Sequence, residues 1–592
     1  MTYPNVVWLL ADSIRAYPGE EDDIRAKLPF MERFGAESVE FTTCVTTAPS
    51  TIMSVTAMMT GLPAYFLARN YDDFRFDGGY RHSLAGVLKQ HGYSSWAFLR
   101  GMETREKFRT FLDPVPRKYW PEDLRHGQKW KNADLDRVLD RVLEAGIPEP
   151  AFLFFHYNPR TEAETDTRLS ERVAATWERL LEAGFTRENT IYVLCSDHGY
   201  PASSTGITAE WEIERRITHD LVLTEDNILI PLYIRYPGCR RKTIDTPVSS
   251  LDIFPTLLEL AGIPEAERIT RATDGLSLGP LIRSGGREDA YPRRFFRCDS
   301  RLMLQTARST AIRSRDFKYI RFHDEHRLAM GNVAQPEAEI LLDVQNDQAE
   351  AHNLLLAQPD AVGIGDVLRR FREEFERTER RGLEFQIDYL LWRQGQSLRR
   401  EPPASRDAEA LRILLAFEPN TAGYLQIGME AIRRIHPSAR FDLLLDEKRF
   451  GDEDVAGDVG VFHYARELDG RISAPAIGSR GRGRHSRGAG YDLTILFVNN
   501  PSDPIVSDLL HIVKAVKTRK RLMLDCNFNA YRRHSYWYYR LRALWERLPY
   551  AVEEPRILLD QIRISGKVLR RYLLTKLGRW ERWEATKAAP EE

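Results

Sequence analysis

The chain has 592 residues, more than one hydrophobic core usually supports, so its length predicts at least two domains. Lys and Arg total 85, Asp and Glu total 86, and 43% of the residues are hydrophobic. This balance excludes a general nucleic-acid or polyanion binder and indicates a globular protein. The five cysteines are scattered and form no Cys-x-x-Cys pair, which favours reduced thiols over disulfides or structural zinc.

The first apolar run, NVVWLLAD, has the length of a strand and is ended by Asp12. No basic region precedes this run, no small-residue cleavage site follows it, and no apolar stretch of the chain approaches ~20 residues. We therefore expect a buried first strand, no export signal, no membrane-spanning helix and a cytoplasmic location.

Strand-like and helix-like segments alternate after this run. RHSLAGVLKQHGYSSWAFL predicts a helix, a turn and a strand, and SERVAATWERLLEAGF predicts a helix. AFLFFHY, TIYVLCSD and ILIPLYIRYP predict buried strands. The alternation predicts an α/β domain over residues 1–400, with a mostly parallel sheet covered by helices on both faces. Asp12 and Asp197 each follow a strand, so both carboxylates are expected at one edge of the sheet.

A change of composition at LRREPPASRDAEALR predicts a domain boundary. Beyond it RILLAFE, RFDLLLD, GDVGVFHY, YDLTILFVN and RLMLDCN alternate with helical patterns, which predicts a smaller Rossmann-like α/β domain over residues 408–550. The turn with Pro419, Asn420 and Gly423 is suited to a nucleotide phosphate. It lacks G-x-G-x-x-G, so an accessory domain without a ligand is the alternative.

Residues 551–592 form a basic tail. Between residues 556 and 583 it holds eight basic and two acidic residues, with apolar residues near helical spacing. This pattern is typical of an amphipathic helix on an anionic membrane surface, which would place the protein on the inner face of the membrane. A helix packed on its own domain with a solvated basic face has the same pattern.

Several sequence blocks of the first domain occur in a recognisable order. They are PNVVWLLADSIRA, GAESVEFTTCVTTAPSTIMSVTAMMTGLP, TIYVLCSDHGY, THDLVLTEDNILIPLYIRYPG, TPVSSLDIFPTLLELAGIP, DGLSLGPLI and RSRDFKYI. Together they resemble the alkaline phosphatase/sulfatase superfamily over residues 4 to about 355. The resemblance implies an alkaline phosphatase-like fold and a metal-dependent hydrolase or transferase that acts on an ester.

The resemblance also implies roles for individual residues. It makes Asp12, Thr51, Asp197 and His198 ligands of one divalent metal ion, which is Mn, Zn, Ca or Mg, and it makes Thr51 the nucleophile. A hydroxyl is a poor nucleophile at neutral pH and needs a metal or a base to activate it. His219 corresponds to a residue that faces the leaving group or the oxyanion, which implies a general acid or charge stabiliser. A surface histidine ahead of a strand is the alternative.

The chain departs from the family pattern at several positions. Sulfatases need Cys or Ser in a C/S-x-P/A-x-R signature for conversion to formylglycine, but here Thr51 begins the corresponding five residues. Ser13 follows Asp12 where many members have a second Asp, Val55 replaces a charged residue, and Arg160 replaces a His. These departures favour a site with one metal.

Threonine nucleophiles of this superfamily belong mostly to enzymes that act on phosphate esters. We therefore predict hydrolysis of a phosphodiester or transfer of a phospho-alcohol through a covalent threonyl intermediate. A sulfuric ester hydrolase is one alternative, and a non-catalytic sulfatase-like scaffold in surface polysaccharide assembly is another. The expected substrate is a small-molecule, glycan or lipid-linked ester, and no nucleic-acid partner is expected.

Overall fold

The computed structural model describes two compact units. Unit 1 contains residues 1–123 and 129–385, and unit 2 contains residues 124–128 and 386–592. The described residues are 3–16, 29–63, 82–99, 117–119, 132–157, 166–200, 223–301, 308–322, 339–357, 363–398, 412–417, 429–430, 432–434, 437–446, 460–466, 472–473, 491–498, 518–525 and 530–531. The predictions for His219, Arg160, the turn at 418–428 and the tail at 551–592 lie outside these residues. The predicted domain limits stay predictions.

The main sheet of unit 1 has nine strands in the order β4-β3-β5-β1-β6-β7-β2-β8, with β9 beside β2. The strands are β1 (Asn5–Ala11), β2 (Val39–Val45), β3 (Ser94–Leu99), β4 (Arg117–Tyr119), β5 (Ala151–Tyr157), β6 (Thr190–Cys195), β7 (Leu229–Arg235), β8 (Lys242–Ile244) and β9 (Val248–Ser249). Only β7 runs antiparallel to its neighbours among these described strands. The predicted α/β class and mostly parallel sheet are confirmed.

The central strands explain why their sequences are continuous apolar runs. Every residue of β1, β5, β6 and β7 is buried, because helices or loops cover both faces of a parallel sheet. Leu10 pairs with His156 on one side and with Cys195 on the other. The carboxyl ends of β1, β5 and β6 are therefore level, and the residues after them share one edge.

Unit 1 contains the start of eleven α-helices whose bounds the structure describes. They are α1 (Pro29–Gly35), α2 (Thr51–Thr60), α3 (Leu84–Gln90), α4 (Asn132–Glu144), α5 (Asp166–Glu182), α6 (Glu225–Ile228), α7 (Ile253–Leu260), α8 (Ala266–Thr270), α9 (Gly279–Ser284), α10 (Leu354–Ala357) and α11 (Ile364–Leu398). The predicted helices α3 and α5 are confirmed. Helix α2 is followed by Gly61, which caps its C-terminus in the left-handed conformation with a φ of 67°.

A second sheet of unit 1 is antiparallel and was not predicted. Its strands are β10 (Phe296–Arg301), β11 (Arg308–Arg313), β12 (Phe317–Phe322) and β13 (Glu339–Asp343), paired in chain order. Ile312, Tyr319 and Leu341 pack against Phe371 and Phe375 of α11. The long helix therefore covers one face of this sheet.

Unit 2 contains a seven-stranded sheet in the order β17-β16-β15-β14-β18-β19-β20. Its strands are β14 (Arg412–Phe417), β15 (Arg440–Asp446), β16 (Gly460–Arg466), β17 (Ile472–Ser473), β18 (Tyr491–Val498), β19 (Thr518–Asp525) and β20 (Ala530–Tyr531). The first strand, β14, is central; β15 and β16 are added in parallel on one side and β18 and β19 on the other, as in a doubly wound fold, and the edge strands β17 and β20 are antiparallel. Within the described part of the chain, no helix has the length and apolarity needed to cross a membrane.

Candidate active site

Two carboxylates, Asp12 and Asp197, follow the central strands of the main sheet. The backbone N–H of Asp12 donates to Tyr157 O at 2.8 Å, which extends the pairing of β1 and β5 by one residue. Asp12 is 6% exposed and Asp197 is fully buried. Parallel pairing therefore brings together two acids that are 185 positions apart in the sequence, as the sequence predicted.

Only one carboxylate oxygen of Asp197 accepts hydrogen bonds from the described residues. Its Oδ1 accepts hydrogen bonds from the backbone N–H groups of Ser13 (3.1 Å) and His198 (2.9 Å). Its Oδ2 is buried and accepts no hydrogen bond from the described residues. The Asp197 carbonyl accepts from the hydroxyls of Thr46 (2.7 Å) and Ser54 (2.6 Å). These bonds fix the loop after β6 to helix α2 and leave Oδ2 directed at the site.

The His198 ring is oriented by its own loop. Its Nδ1 lies 2.7 Å from the carbonyl of Gly199. A carbonyl only accepts, so this nitrogen carries a proton and donates it to Gly199, and Nε2 is the ring nitrogen that faces the site. That Nε2 lies 3.2 Å from Thr51 Oγ1, 3.5 Å from Asp197 Oδ2 and 3.9 Å from Asp12 Oδ1.

Thr51 is the first residue of α2. The preceding Ser50 is extended (φ −150°, ψ 128°) and its side chain makes no capping hydrogen bond. The N–H groups of the first helical turn have no helical partners, and the helix dipole favours an anion at this end. Thr51 is partly exposed, whereas the other nine residues of the helix are buried. Its hydroxyl is therefore both accessible and next to His198.

His156, near the end of β5, belongs to the site although the sequence analysis assigned it no role. The residue is 1% exposed, and its Nε2 lies 3.4 Å from Asp12 Oδ2. One ligand atom from each of Asp12, His156 and Asp197 lies within 4.8 Å of the other two. The available signal was its position at the end of the apolar run AFLFFHY, level with the other strand ends.

Burial and the two histidines determine the ionisation of Asp12. Burial raises the pKa of Asp12, but the nearby rings of His156 and His198 and the Ser13 hydroxyl outweigh burial and hold the pKa of Asp12 well below its usual range. Asp12 is therefore a carboxylate at neutral pH. Burial raises the pKa of the neighbouring Cys195 to about 12 although Trp8 donates to its sulfur. This thiol is protonated, so it is neither a nucleophile nor a ligand.

These groups fit a divalent cation. Asp12 and Asp197 are anionic acceptors, His198 Nε2 has a lone pair, and Thr51 adds a hydroxyl oxygen. Such acceptors repel one another unless a cation lies between them, and Asp197 Oδ2 accepts no hydrogen bond from the described residues. Oxygen and imidazole donors suit each of the four predicted metals. The arrangement therefore has the composition of a metal centre.

Two of the departures from the family pattern are visible in the site. Ser13 has a φ of 63°, its N–H donates to Asp197, and its hydroxyl donates to Asp12 Oδ1 at 2.6 Å. It therefore bridges the two carboxylates. Val55 is 0% exposed and belongs to the hydrophobic core, so this position contributes no charge to the site.

Comparisons with known proteins identify the family of the chain. A sequence model of the Sulfatase family matches residues 4–159, and one of the N-sulphoglucosamine sulphohydrolase C-terminal region matches residues 214–379. The chain belongs to the alkaline phosphatase/sulfatase superfamily. The two matched regions include the strands that carry Asp12 and His156, as well as the antiparallel sheet of unit 1. The matches support an enzyme of the sulfatase hydrolases within this superfamily.

Similar proteins of this superfamily include several sulfatases. An ulvan-active sulfatase of Formosa agariphila is 24% identical over 414 residues, which cover 57% of this chain and 76% of the relative. Arylsulfatase K of Gallus gallus is 29% identical over 219 residues, which cover 35% of each protein. Arylsulfatase K of Danio rerio is 30% identical over 210 residues. The chain thus matches about a third of the length of arylsulfatase K.

Solved structures of the superfamily resemble this fold over most of their length. A 2-O GAG sulfatase has a TM-score of 0.49 and 14% identity, and the match covers 68% of this chain and 95% of that one. A phosphonate monoester hydrolase of Silicibacter pomeroyi has a TM-score of 0.48 and 15% identity, over 64% of this chain and 95% of that one.

Proposed function

We propose that this protein is a metal-dependent ester hydrolase that uses Thr51 as its nucleophile and acts on a phosphate ester. The observation that carries the proposal is the 3.2 Å separation of Thr51 Oγ1 from His198 Nε2, beside Asp12 and Asp197. A hydroxyl, an imidazole nitrogen and two carboxylates therefore lie together at the N-terminus of α2.

Asp12, Thr51, Asp197 and His198 would hold the cation, and His156 would orient Asp12 through their 3.4 Å contact. When bound, a divalent cation supplies positive charge that favours a deprotonated hydroxyl and stabilises the anionic transition state. The unpaired N–H groups at the start of α2 add partial positive charge on the same side.

The reaction would have two displacements. Thr51 Oγ1 attacks phosphorus while the bond to the ester oxygen breaks, and the alcohol leaves with a proton. A water molecule then attacks the phosphothreonyl phosphorus, and the Thr51 hydroxyl is regenerated when its bond to phosphorus breaks. An acceptor alcohol in place of water would make the protein a transferase. His219 is the predicted donor of the proton to the leaving alcohol and lies outside the described residues.

The choice of phosphate over sulfate follows from the β carbon of threonine. This carbon bears a single oxygen, so the intermediate can return to free enzyme only when water attacks the phosphorus or sulfur. Formylglycine has a different route because its hydrate carries two oxygens on one carbon. Metal-assisted attack of water on phosphorus is a common enzymatic step. Position 51 therefore supports phosphate chemistry.

Hydrolysis of a sulfuric ester is the second candidate, and the names of the relatives favour it. The ulvan-active sulfatase and arylsulfatase K are both sulfatases by name. The name of the first relative also supports a glycan ester as substrate. The third possibility is a binding or scaffold protein without turnover, and it is an outcome of the experiment below.

The experiment is a substrate screen of metal-reconstituted protein. p-Nitrophenyl phosphate, bis-p-nitrophenyl phosphate and p-nitrophenyl sulfate are compared at one concentration, with Thr51→Val as the matched control of the same shape. Faster hydrolysis of either phosphate ester supports the proposal. Turnover of sulfate alone supports the second candidate, and a metal-loaded protein without any turnover would favour a scaffold.

A further inference from the structure

Four buried charged side chains form an ion cluster between α6 and the antiparallel sheet. They are Glu225 (6% exposed), Arg313 (5%), Lys318 (0%) and Glu350 (4%). Lys318 Nζ lies 3.2 Å from Glu225 Oε1, contacts the Glu350 carboxylate and donates to the carbonyl of Leu223 at 2.9 Å. Arg313 Nε donates to Glu225 Oε2 at 2.9 Å. The sheet therefore holds the segment before β7 through charges.

Lys318 is the centre of this cluster. Its ammonium group donates a hydrogen bond to one backbone carbonyl and pairs with two carboxylates. Such a group is stable away from water only when it is paired. Without Lys318 two buried carboxylates would face each other with Arg313 as the remaining cation of the cluster. The position of Leu223 and Glu225 thus depends on this lysine.

The segment that Lys318 holds is bonded to all three loops of the candidate active site. Four consecutive carbonyls, those of residues 226–229, accept backbone hydrogen bonds from the loops that carry Asp12, Thr51 and His198. The donor and acceptor pairs are Ala16 and Leu229 (3.1 Å), Thr46 and Ile228 (2.9 Å), Gly199 and Asn227 (2.8 Å), and Tyr200 and Asp226 (3.2 Å). One short stretch of backbone therefore sets the spacing of three loops.

The contact at Gly199 is especially close. A Cβ atom at this position would lie 2.0 Å from the carbonyl oxygen of Asp226, so any side chain would push the two segments apart. The Gly199 carbonyl accepts the Nδ1 proton of His198 at 2.7 Å. A shift of residues 226–229 is therefore transmitted to the ring that faces Thr51.

We infer that Lys318 is a positioning residue for the candidate metal site. It anchors residues 223–225, and the adjoining carbonyls of residues 226–229 hold the three site loops in register. Lys318 contacts neither metal ligand nor nucleophile in any described interaction and acts only through the backbone. The positioning of the loops by Lys318 does not depend on the proposed activity. The expected loss of metal affinity without Lys318 rests on the proposed function.

The competing explanation is that the cluster only stabilises the antiparallel sheet. The matched control is Arg372, whose guanidinium pairs with Glu339 of β13 and so joins the same sheet to α11. Arg372→Met and Lys318→Met each remove one cation that is paired with a carboxylate at this sheet. Only the second change affects the segment bonded to the site loops.

Hydrogen–deuterium exchange of the full chain tests the inference. In Lys318→Met, the amides of peptides that cover residues 196–200 and 43–48 should exchange about tenfold faster than in the wild type. The reason is that these two loops open locally more often. A peptide within β5 should exchange as in the wild type, and Arg372→Met should leave all three unchanged. The inference would be overturned if residues 196–200 of Lys318→Met exchanged at the wild-type rate. It would also be overturned if the amides of β5 exchanged faster by the same factor as those of residues 196–200.

A double variant covers the case in which Lys318→Met does not fold. Lys318→Met with Glu350→Gln removes one cation and one anion, so that the Arg313–Glu225 pair remains. It should unfold at nearly the wild-type temperature and still show fast exchange at residues 196–200. Slow exchange there would overturn the inference.

Metal affinity gives the second measurement. Titration with Mn²⁺ should show about tenfold weaker binding to Lys318→Met than to Arg372→Met, the size expected when the support of a ligand is lost. Equal affinities would contradict positioning of the metal ligands. If the wild type binds no Mn²⁺, Zn²⁺, Ca²⁺ or Mg²⁺, the proposed function fails, and exchange at residues 196–200 still decides the role of Lys318.

Discussion

Thr51 Oγ1 lies 3.2 Å from His198 Nε2, although 147 positions separate the two residues in the sequence. The hydrogen bond joins the first residue of α2 to the loop after β6. Because Nδ1 of His198 carries the ring proton, Nε2 is the acceptor and the Thr51 hydroxyl donates to it. A hydroxyl beside groups that can bind a divalent cation is what metal-assisted attack on an ester requires.

Replacement of Thr51 tests the nucleophile. Thr51→Val keeps the shape of the side chain but has no hydroxyl, so we expect a loss of at least about 10³-fold in kcat for whichever ester the wild type hydrolyses. Thr51→Ser keeps a hydroxyl and should retain most of the activity. The measurement is p-nitrophenol release under saturating metal. Equal rates for wild type and Thr51→Val would exclude Thr51 as the nucleophile.

His156 should affect metal binding through Asp12. His156→Gln removes the ring that lies 3.4 Å from Asp12 Oδ2, and we expect metal affinity to fall about 10- to 100-fold, the range for groups that orient a ligand. Calorimetric titration of metal into the metal-free protein measures this change. The control is His352→Gln, because the His352 side chain is 71% exposed. An affinity unchanged in His156→Gln would remove this residue from the site.

Ser13 allows backbone strain to be separated from hydrogen bonding. Its φ of 63° lies in the left-handed region, and its hydroxyl donates to Asp12. Ser13→Ala and Ser13→Gly both delete the hydroxyl, but only glycine adopts this φ without strain. We expect Ser13→Gly to be more stable than Ser13→Ala by about 1 kcal/mol in urea denaturation. Equal stabilities would mean that the backbone rearranges in the alanine variant.

The ion cluster predicts a pH dependence of stability. Burial raises the pKa of Glu350 from 4.5 to about 7, since Lys318 only partly offsets burial and the nearby Glu225 carboxylate. The folded state thus binds this proton more tightly than the unfolded state. The stabilisation is complete below the unfolded pKa of 4.5 and is lost as pH rises through about 7.

Glu350→Gln should therefore change the pH profile of stability. Between about pH 5 and pH 8 the wild type should lose stability relative to Glu350→Gln, by up to about 1.4 kcal/mol per unit of pKa shift. Denaturant unfolding at several pH values measures the difference, with Arg372→Met as a control that keeps the wild-type pH dependence. Parallel profiles for wild type and Glu350→Gln would contradict the raised pKa.

Local sequence determined much of the main sheet. Strands buried on both faces need continuous apolar runs, so NVVWLLAD and TIYVLCSD predicted β1 and β6 correctly. Parallel strands end at one edge, which was enough to bring Asp12 and Asp197 together in the prediction. The position of Thr51 came from the family resemblance, and the structure places that residue at the start of α2.

Other features depended on contacts that no single segment encodes. The place of His156 beside Asp12 follows from strand register, and the bridge made by Ser13 depends on its left-handed backbone conformation. The antiparallel sheet and the Lys318 cluster pair residues up to 125 positions apart. Apolar periodicity reports only which face of an element is buried. Which buried charges meet, and which loops share one stretch of backbone, was decided only by the packing of distant segments.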